Sequence, residues 1–383
     1  MNIIYFDNSA TTKIKTEVLN EMMPFLTTEY GNASSLYSIG RKSKRTIEKA
    51  RSQVAKLIGC NANEIFFTAG GSESDNLALK GYAYANKEKG NHIITSKIEH
   101  PAILETCKAL EKQGFEVSYI NVDEDGIIKL EELKNQIRPS TILISVMFAN
   151  NEVGTIQPIE EIAKIAHDNN IVFHTDAVQA VGNMVIDVSK MGIDMLSLSG
   201  HKINAPKGIG ALYIKNSIQV EKIIDGGHQE KDKRAGTENV AGIVGIGKAC
   251  EIANKNLDKH IKNLERLRDY YIKRLQKEIP NKIRINGSIE KRLPGNANVS
   301  FEGINSSELI FKLDEKGICV SSGSACSSGN PKPSHVLTAM SVPEKYLNSA
   351  VRTTFGDNNT FEEIDYFVNI IKRIIQQNKN TGS

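Results

Sequence analysis

Between residues 64 and 214 the chain repeats one pattern: a short β-branched or apolar run, a turn, then a longer amphipathic stretch. The runs are Glu64–Thr68, His92–Ile98, Phe115–Val122, Thr141–Phe148, Ile171–Asp176, Met195–Ser199 and Gly210–Ile214. Ile142-Leu-Ile-Ser-Val-Met-Phe148 and Ile171-Val-Phe-His-Thr175 are almost unbroken apolar sequences, as strands covered on both faces require. Helical spacing fills the intervals at Ser74–Lys89, Ala102–Gln113, Leu130–Ile137 and Ile159–Asn169. This alternation predicts an α/β fold: a mostly parallel seven-stranded sheet with helices on both faces, joined by right-handed crossovers.

Beyond residue 240 the texture changes. A helical stretch from Gly242 to Glu278 carries Leu264, Leu267, Tyr271 and Leu275 on one face. Strands at Lys282–Ile285 and Ala297–Phe301, a helix at Ser306–Lys316, a Ser/Gly-rich loop and a terminal helix from Phe361 to Gln377 follow. Such segregation predicts a second, smaller α+β domain beginning near residue 260; residues 1–12 are assigned to it together with 261–383, and residues 13–260 form the large domain.

Several function classes fall away on composition. A net charge of +3, from 48 Lys and Arg against 45 Asp and Glu, does not make the basic face of a nucleic-acid binder. No apolar run approaches the ~18 residues that span a bilayer, and Met1–Lys13 lacks the pattern of a secretory signal. The five cysteines are scattered without a CxxC pair, which disfavours a disulfide framework or a tetrathiolate zinc site and points to the reducing cytoplasm.

Four segments offer chemistry. Thr68-Ala-Gly-Gly-Ser72-Glu-Ser-Asp75 turns from strand to helix through two glycines; it reads either as a phosphate cradle or as an ordinary helix start. His174-Thr-Asp176-Ala-Val-Gln179 puts an acid at a strand's carboxyl end, where it is a ligand group or a helix cap. Ser199-Gly-His201-Lys202 ends another strand with hydroxyl, imidazole and amine together; such a lysine is a carbonyl-trapping amine if its pKa is lowered, and otherwise a solvated charge. Ser321-Ser-Gly-Ser-Ala-Cys326-Ser-Ser-Gly329 sets one thiol among small residues, either a mobile nucleophile or a chance cysteine in a linker. Cys60, Cys107, Cys250 and Cys319 stand in helical or apolar contexts that suit small buried hydrophobes.

Taken in order, these segments resemble the cysteine desulfurases (NifS/IscS type) of the class V aminotransferase group, within the fold-type I pyridoxal 5′-phosphate (PLP) enzymes. The resemblance covers nearly the whole chain. It also takes in Tyr5-Phe-Asp-Asn-Ser-Ala-Thr-Thr12, Tyr30-Gly-Asn32-Ala-Ser-Ser35, Glu99-His100, Ala149-Asn-Asn151-Glu-Val-Gly154, Arg234-Ala-Gly-Thr237 and Arg352. It implies removal of sulfur from L-cysteine, giving L-alanine and a persulfide on Cys326. Lys202 is then the Schiff-base lysine and the base at the α-carbon, Asp176 the partner of the pyridinium nitrogen, and Gln179 that of the phenolic oxygen. His100 stacks on the ring and moves protons. Gly71, Ser72, Ser199, His201 and Thr237 hold the phosphate, with Thr237 reaching the neighbouring subunit of a homodimer. Arg352, Asn32 and Asn151 take the substrate carboxylate, Asn151 also lying beside the cofactor. The large domain becomes the PLP-binding one, and the sulfur acceptor an iron–sulfur scaffold or tRNA-thiolation protein. The Cys326 loop resembles the long-loop subgroup. The sequence departs from the family pattern at Ser72, Tyr37, Phe148, Ala33 and Thr353-Thr-Phe355, none of which removes a catalytic group.

Overall fold

Apolar runs bounded by glycine and polar turns should bury themselves side by side, and they do. The computed structural model describes residues 3–322 and 333–381. It opens with a short strand, β1 (Ile4–Tyr5), followed by the helices Thr16–Thr27 and Ser38–Ile58. The seven expected runs become β2 (Ile65–Thr68), β3 (His92–Ser96), β4 (Glu116–Ile120), β5 (Thr141–Ser145), β6 (Val172–Asp176), β7 (Met195–Ser199) and β8 (Gly210–Ile214). They lie in the order β2-β8-β7-β6-β5-β3-β4, and only β8 runs against its neighbours.

Three strands end earlier than the apolar pattern suggests. Ile98, Val122 and Met147-Phe148 stay buried while the backbone turns out of the sheet, so their hydrophobicity marks core-facing turns rather than strand. The helix expected at Ser74–Lys89 starts earlier, at Gly71. It runs as Gly71–Asn76, a π-helical turn Leu77–Gly81, and Tyr82–Ala85. The terminal helix extends from Phe361 to Thr381.

The rest of the chain supplies β9 (Ile283–Asn286), β10 (Asn296–Phe301), β11 (Ile318–Cys319) and β12 (Ala350–Thr354). An antiparallel sheet forms in the order β12-β10-β9, and β1 pairs parallel with β11. The helix Val240–Glu278 is 39 residues long. Its first turns place Ile243, Ile246 and Cys250 in the hydrophobic cluster around the large sheet. Its last turns place Leu264, Leu267, Tyr271 and Leu275 in a second cluster with Phe6, Val299, Phe301 and Phe367. There the Tyr271 ring stacks on Phe367 at 5.3 Å. Among the described residues no helix is long and apolar enough to cross a membrane.

Candidate active site

With the sheet parallel apart from β8, the carboxyl ends of β2, β7, β6, β5 and β3 fall on one edge, where ligands bind in open α/β sheets. Thr68, Ser199, Asp176, Ser145 and Ser96 close those strands. The segments that follow them carry Gly71 and Ser72, Lys202, Gln179, Asn151 and His100 respectively, so the fold gathers five separated motifs along one crevice.

A 3₁₀ turn, Gly200–Lys202, carries the lysine out of β7. Its Nζ donates to the backbone carbonyls of Ser9 and of Ala10, the latter at 2.8 Å. Burial, with Arg352 nearby, pulls the Lys202 amine down to about 8, against the pull of Asp7 and Asp176. That makes it far more available as a free amine near neutral pH than a solvated lysine. Gln179 donates from Nε2 to the same Ser9 carbonyl at 3.1 Å.

Asp176 is buried, and its Oδ1 accepts the Val178 N–H at 2.9 Å. Burial raises its pKa, while His100, that hydrogen bond and Lys202 oppose the rise. Behind it lies a second, deeper layer to which the sequence alone assigns no role. His174, two residues earlier on the same face of β6, meets the Ser145 and Ser197 hydroxyls at 2.9 and 3.0 Å. Burial depresses this imidazole to about 3, so it is neutral. Asp75 Oδ1 lies 3.9 Å from it without a hydrogen-bond partner among the described residues. Burial and the charges of Asp176 and Glu99 raise Asp75 well above the carboxylate range, against the Ser197 hydroxyl. Two adjacent buried carboxyls repel each other's charge, so both are pushed towards the neutral form, and Lys202 opposes that push at Asp176.

His100 caps the helix Pro101–Glu111, its Nδ1 accepting the Ala102 N–H at 3.1 Å. Desolvation of its ring lowers its pKa, opposed by Asp176 and aided by Lys202 and His335. Glu99, beside it, is fully buried; both oxygens accept the Met147 N–H, at 3.0 and 3.1 Å. Burial pushes its carboxyl up to about 8 from 4.5. Between those values the folded chain holds a proton that the unfolded chain has lost, so this group makes stability fall as pH rises. Glu99→Gln is expected to flatten that decline, read as urea midpoints from pH 5 to 8.

The start of the helix Gly71–Asn76 sits against β7. A Cβ at Gly71 would come within 2.8 Å of Val178 Cγ2 and 3.6 Å of Ser199 Cβ, so glycine keeps this helix start close to the crevice wall. Ser72 is exposed beside it. His201 Nδ1 meets Thr11 Oγ1 at 3.2 Å, and burial with Lys202 and Lys207 lowers it to about 4, leaving a neutral ring.

Arg352, on β12, is buried near Lys202. Its Nη1 donates to the Asn151 carbonyl at 3.1 Å and its Nη2 to Asp7 Oδ1 at 2.7 Å. Two expected residues make no hydrogen bond to this group among the described residues. Asn32 is exposed between the first two helices, its Oδ1 accepting the Ser34 N–H at 2.9 Å. Thr237 is exposed on a segment that Arg234 ties to Glu73 at 2.8 Å. Cys326 lies outside the described residues.

The aminotransferase class-V profile matches residues 4–367. The chain belongs to the class-V aminotransferase family. Two curated relatives named cysteine desulfurase IscS each share 52% identity across 98% of this chain. The protein from Clostridium botulinum (strain Hall) is covered over 95% of its own length, and that from Methanosarcina thermophila over 93%. Among solved structures, a NifS-like protein superposes with a TM-score of 0.92 at 40% identity, over 98% of this chain and all of that one. Another, described as SspA in complex with cysteine, has a TM-score of 0.81 at 37% identity, over 93% of this chain and all of that one.

Class-V aminotransferases depend on PLP, and the residues fit that group. A lowered-pKa amine suits its aldehyde, a buried carboxylate suits its ring nitrogen, and the glycine-opened helix start beside Ser199 suits its phosphate.

Proposed function

We propose that this class-V aminotransferase is a cysteine desulfurase, converting L-cysteine to L-alanine and a persulfide on Cys326. The observation that carries the reading is geometric: Lys202 follows β7 and Asp176 ends the neighbouring β6, on the edge where the motifs converge. The near-full-length identity to two cysteine desulfurases supports it.

When bound, PLP supplies an electron-accepting ring that stabilises negative charge at the substrate's α-carbon. Lys202 would hold it through Nζ and, once free, remove the α-proton. Asp176 would keep its ring nitrogen protonated, backed by Asp75, which burial pushes towards its neutral form, and by the neutral His174. Gln179 would donate to the ring's oxygen, and His100 would stack on the ring and carry protons. Gly71, Ser72, Ser199 and His201 would hold the phosphate, and Arg352 with Asn151 and Asn32 the substrate carboxylate. Cys326 attacks the substrate sulfur as a thiolate: an S–S bond forms, the carbon–sulfur bond breaks, and the protonated carbon fragment leaves as alanine.

The working unit in this reading is a homodimer, with Thr237 extending to the partner's phosphate site. On the single chain, Leu19, Met23 and Leu26 recur along one exposed helix face, continued by exposed Tyr30, Leu36 and Tyr37. An apolar surface of that extent suits a second copy. The persulfide would pass to an iron–sulfur scaffold or a tRNA-thiolation protein in the cytoplasm, with no direct nucleic-acid contact. The test is mass spectrometry of the Cys326 peptide after incubation with L-cysteine. One added sulfur and equimolar alanine are expected, and Cys326→Ala should lose both. Full activity in that variant would reassign the nucleophile.

A further inference from the structure

Arg352 is not an isolated cation waiting for a carboxylate. It is already engaged by Asp7, 345 positions away in sequence, through a 2.7 Å contact between side chains only 6% and 16% exposed. The segment bearing Asp7 is itself strapped to the strand of Arg352. Asp7 bridges to Thr354, Phe6 accepts the Thr354 N–H at 2.7 Å, and the Ser9 N–H donates to Thr354 Oγ1 at 2.9 Å. The Asn151 carbonyl holds the other Nη, while Nε is buried without a partner among the described residues. The guanidinium plane is thus set by two rigid acceptors, leaving the remaining Nη protons for a ligand.

We propose that Asp7 is a positioning residue for substrate binding: it fixes the Arg352 fork and offsets its charge, so that the crevice captures the carboxylate of a small amino acid in one orientation. The inference rests on reading Arg352 as the carboxylate ligand. A pair this shielded acts as a unit, and losing one member leaves the other charge uncompensated and free to turn about its last acceptor. The same carboxylate acts on Lys202, which is also faced by Arg352, Asp176, His100 and His201; Arg352 is faced in addition by Glu152 and Tyr5.

The experiment compares Asp7→Asn, Asp7→Glu and Arg352→Gln with wild type. Asp7→Asn should raise the KM for L-cysteine on the order of tenfold while kcat stays within about threefold, because orientation of the ground state is what is lost. With apoenzyme from the same variant, the pH at which PLP is captured should move down, since an anion opposing the loss of the Lys202 proton is gone. Asp7→Glu, which keeps the charge but moves it, should raise KM and leave the capture pH in place. An Asp7→Asn KM within twofold of wild type, or a fall in kcat at constant KM, overturns the proposal. If Asp7→Asn does not fold, an Asp7→Glu enzyme with wild-type KM overturns it. A normal KM in Arg352→Gln would instead remove the assignment of Arg352 on which it stands.

Discussion

Lys202→Ala is expected to lower L-cysteine turnover by about a thousandfold or more, because one side chain serves both as the cofactor's covalent anchor and as the proton-transfer base. The variant should fold normally: Lys202 is only half-buried, and its two hydrogen bonds end on carbonyls of the Ser9–Ala10 turn, which Gln179 and Thr354 also hold. Cofactor should still bind, but without the absorption of the lysine-bound form, since Asp176 and the helix start at Gly71 are untouched. The same residue gives a pH test. An amine forms its bond to an aldehyde only when unprotonated, so PLP capture by wild-type apoenzyme should rise as pH passes through about 8, well below 10.5 for an ordinary lysine. A rate that climbs only near the ordinary lysine range would show that the site does not lower this amine.

The largest loss of stability is expected from Glu230→Leu. Glu230 and Arg51 are both buried and joined twice, at 2.7 and 2.9 Å, while Glu230 Oε2 also accepts the Phe67 N–H at 2.8 Å. Arg51 donates to the Ile65 carbonyl at 2.6 Å and lies 4.9 Å from the Phe67 ring centre. Removing the acid leaves the buried guanidinium with exposed Glu48, whose Oε1 accepts from Arg51 Nε at 3.2 Å, as its remaining carboxylate partner. Breaking a buried pair costs about 3–5 kcal/mol, and Glu48 places this loss towards the lower end. The pair also holds three successive left-handed residues, Glu230, Lys231 and Asp232, with φ of 45°, 55° and 64°, a conformation that costs roughly 1–2 kcal/mol per residue. Urea unfolding of the apoprotein should show a lower midpoint. Because the turn leads towards Thr237, cofactor affinity should also weaken. A midpoint unchanged from wild type would mean that the pair contributes nothing net.

The sequence made the large sheet legible because strands buried on both faces must be apolar throughout, and few other elements are. Ser38–Ile58 is not legible as a helix, because its basic opening Arg41-Lys-Ser-Lys-Arg45 masks the helical spacing of Ile47, Val54 and Ile58. β12 was hidden for another reason: Ala350-Val-Arg-Thr-Thr354 carries an arginine and two threonines that are buried only because other segments cover them. Within the site, side chains that end strands could be read singly, since a strand's carboxyl end is where such a fold binds. The partner of Arg352 could not, because Asp7 meets it only through tertiary pairing, β1 with β11 and Asp7 with Thr354. Asp75 and His174 stand inside the strand-end motifs, but a deep carboxyl and a buried imidazole differ from surface ones only in burial.

One helix, Val240–Glu278, belongs to both hydrophobic clusters. At 39 residues and about 1.5 Å per residue it is a rod of roughly 58 Å. Melting either half would expose part of the other's lining, so calorimetry should record a single heat-absorption peak rather than two separable ones. Severing the chain near residue 260 should yield fragments that neither fold alone nor reassemble readily.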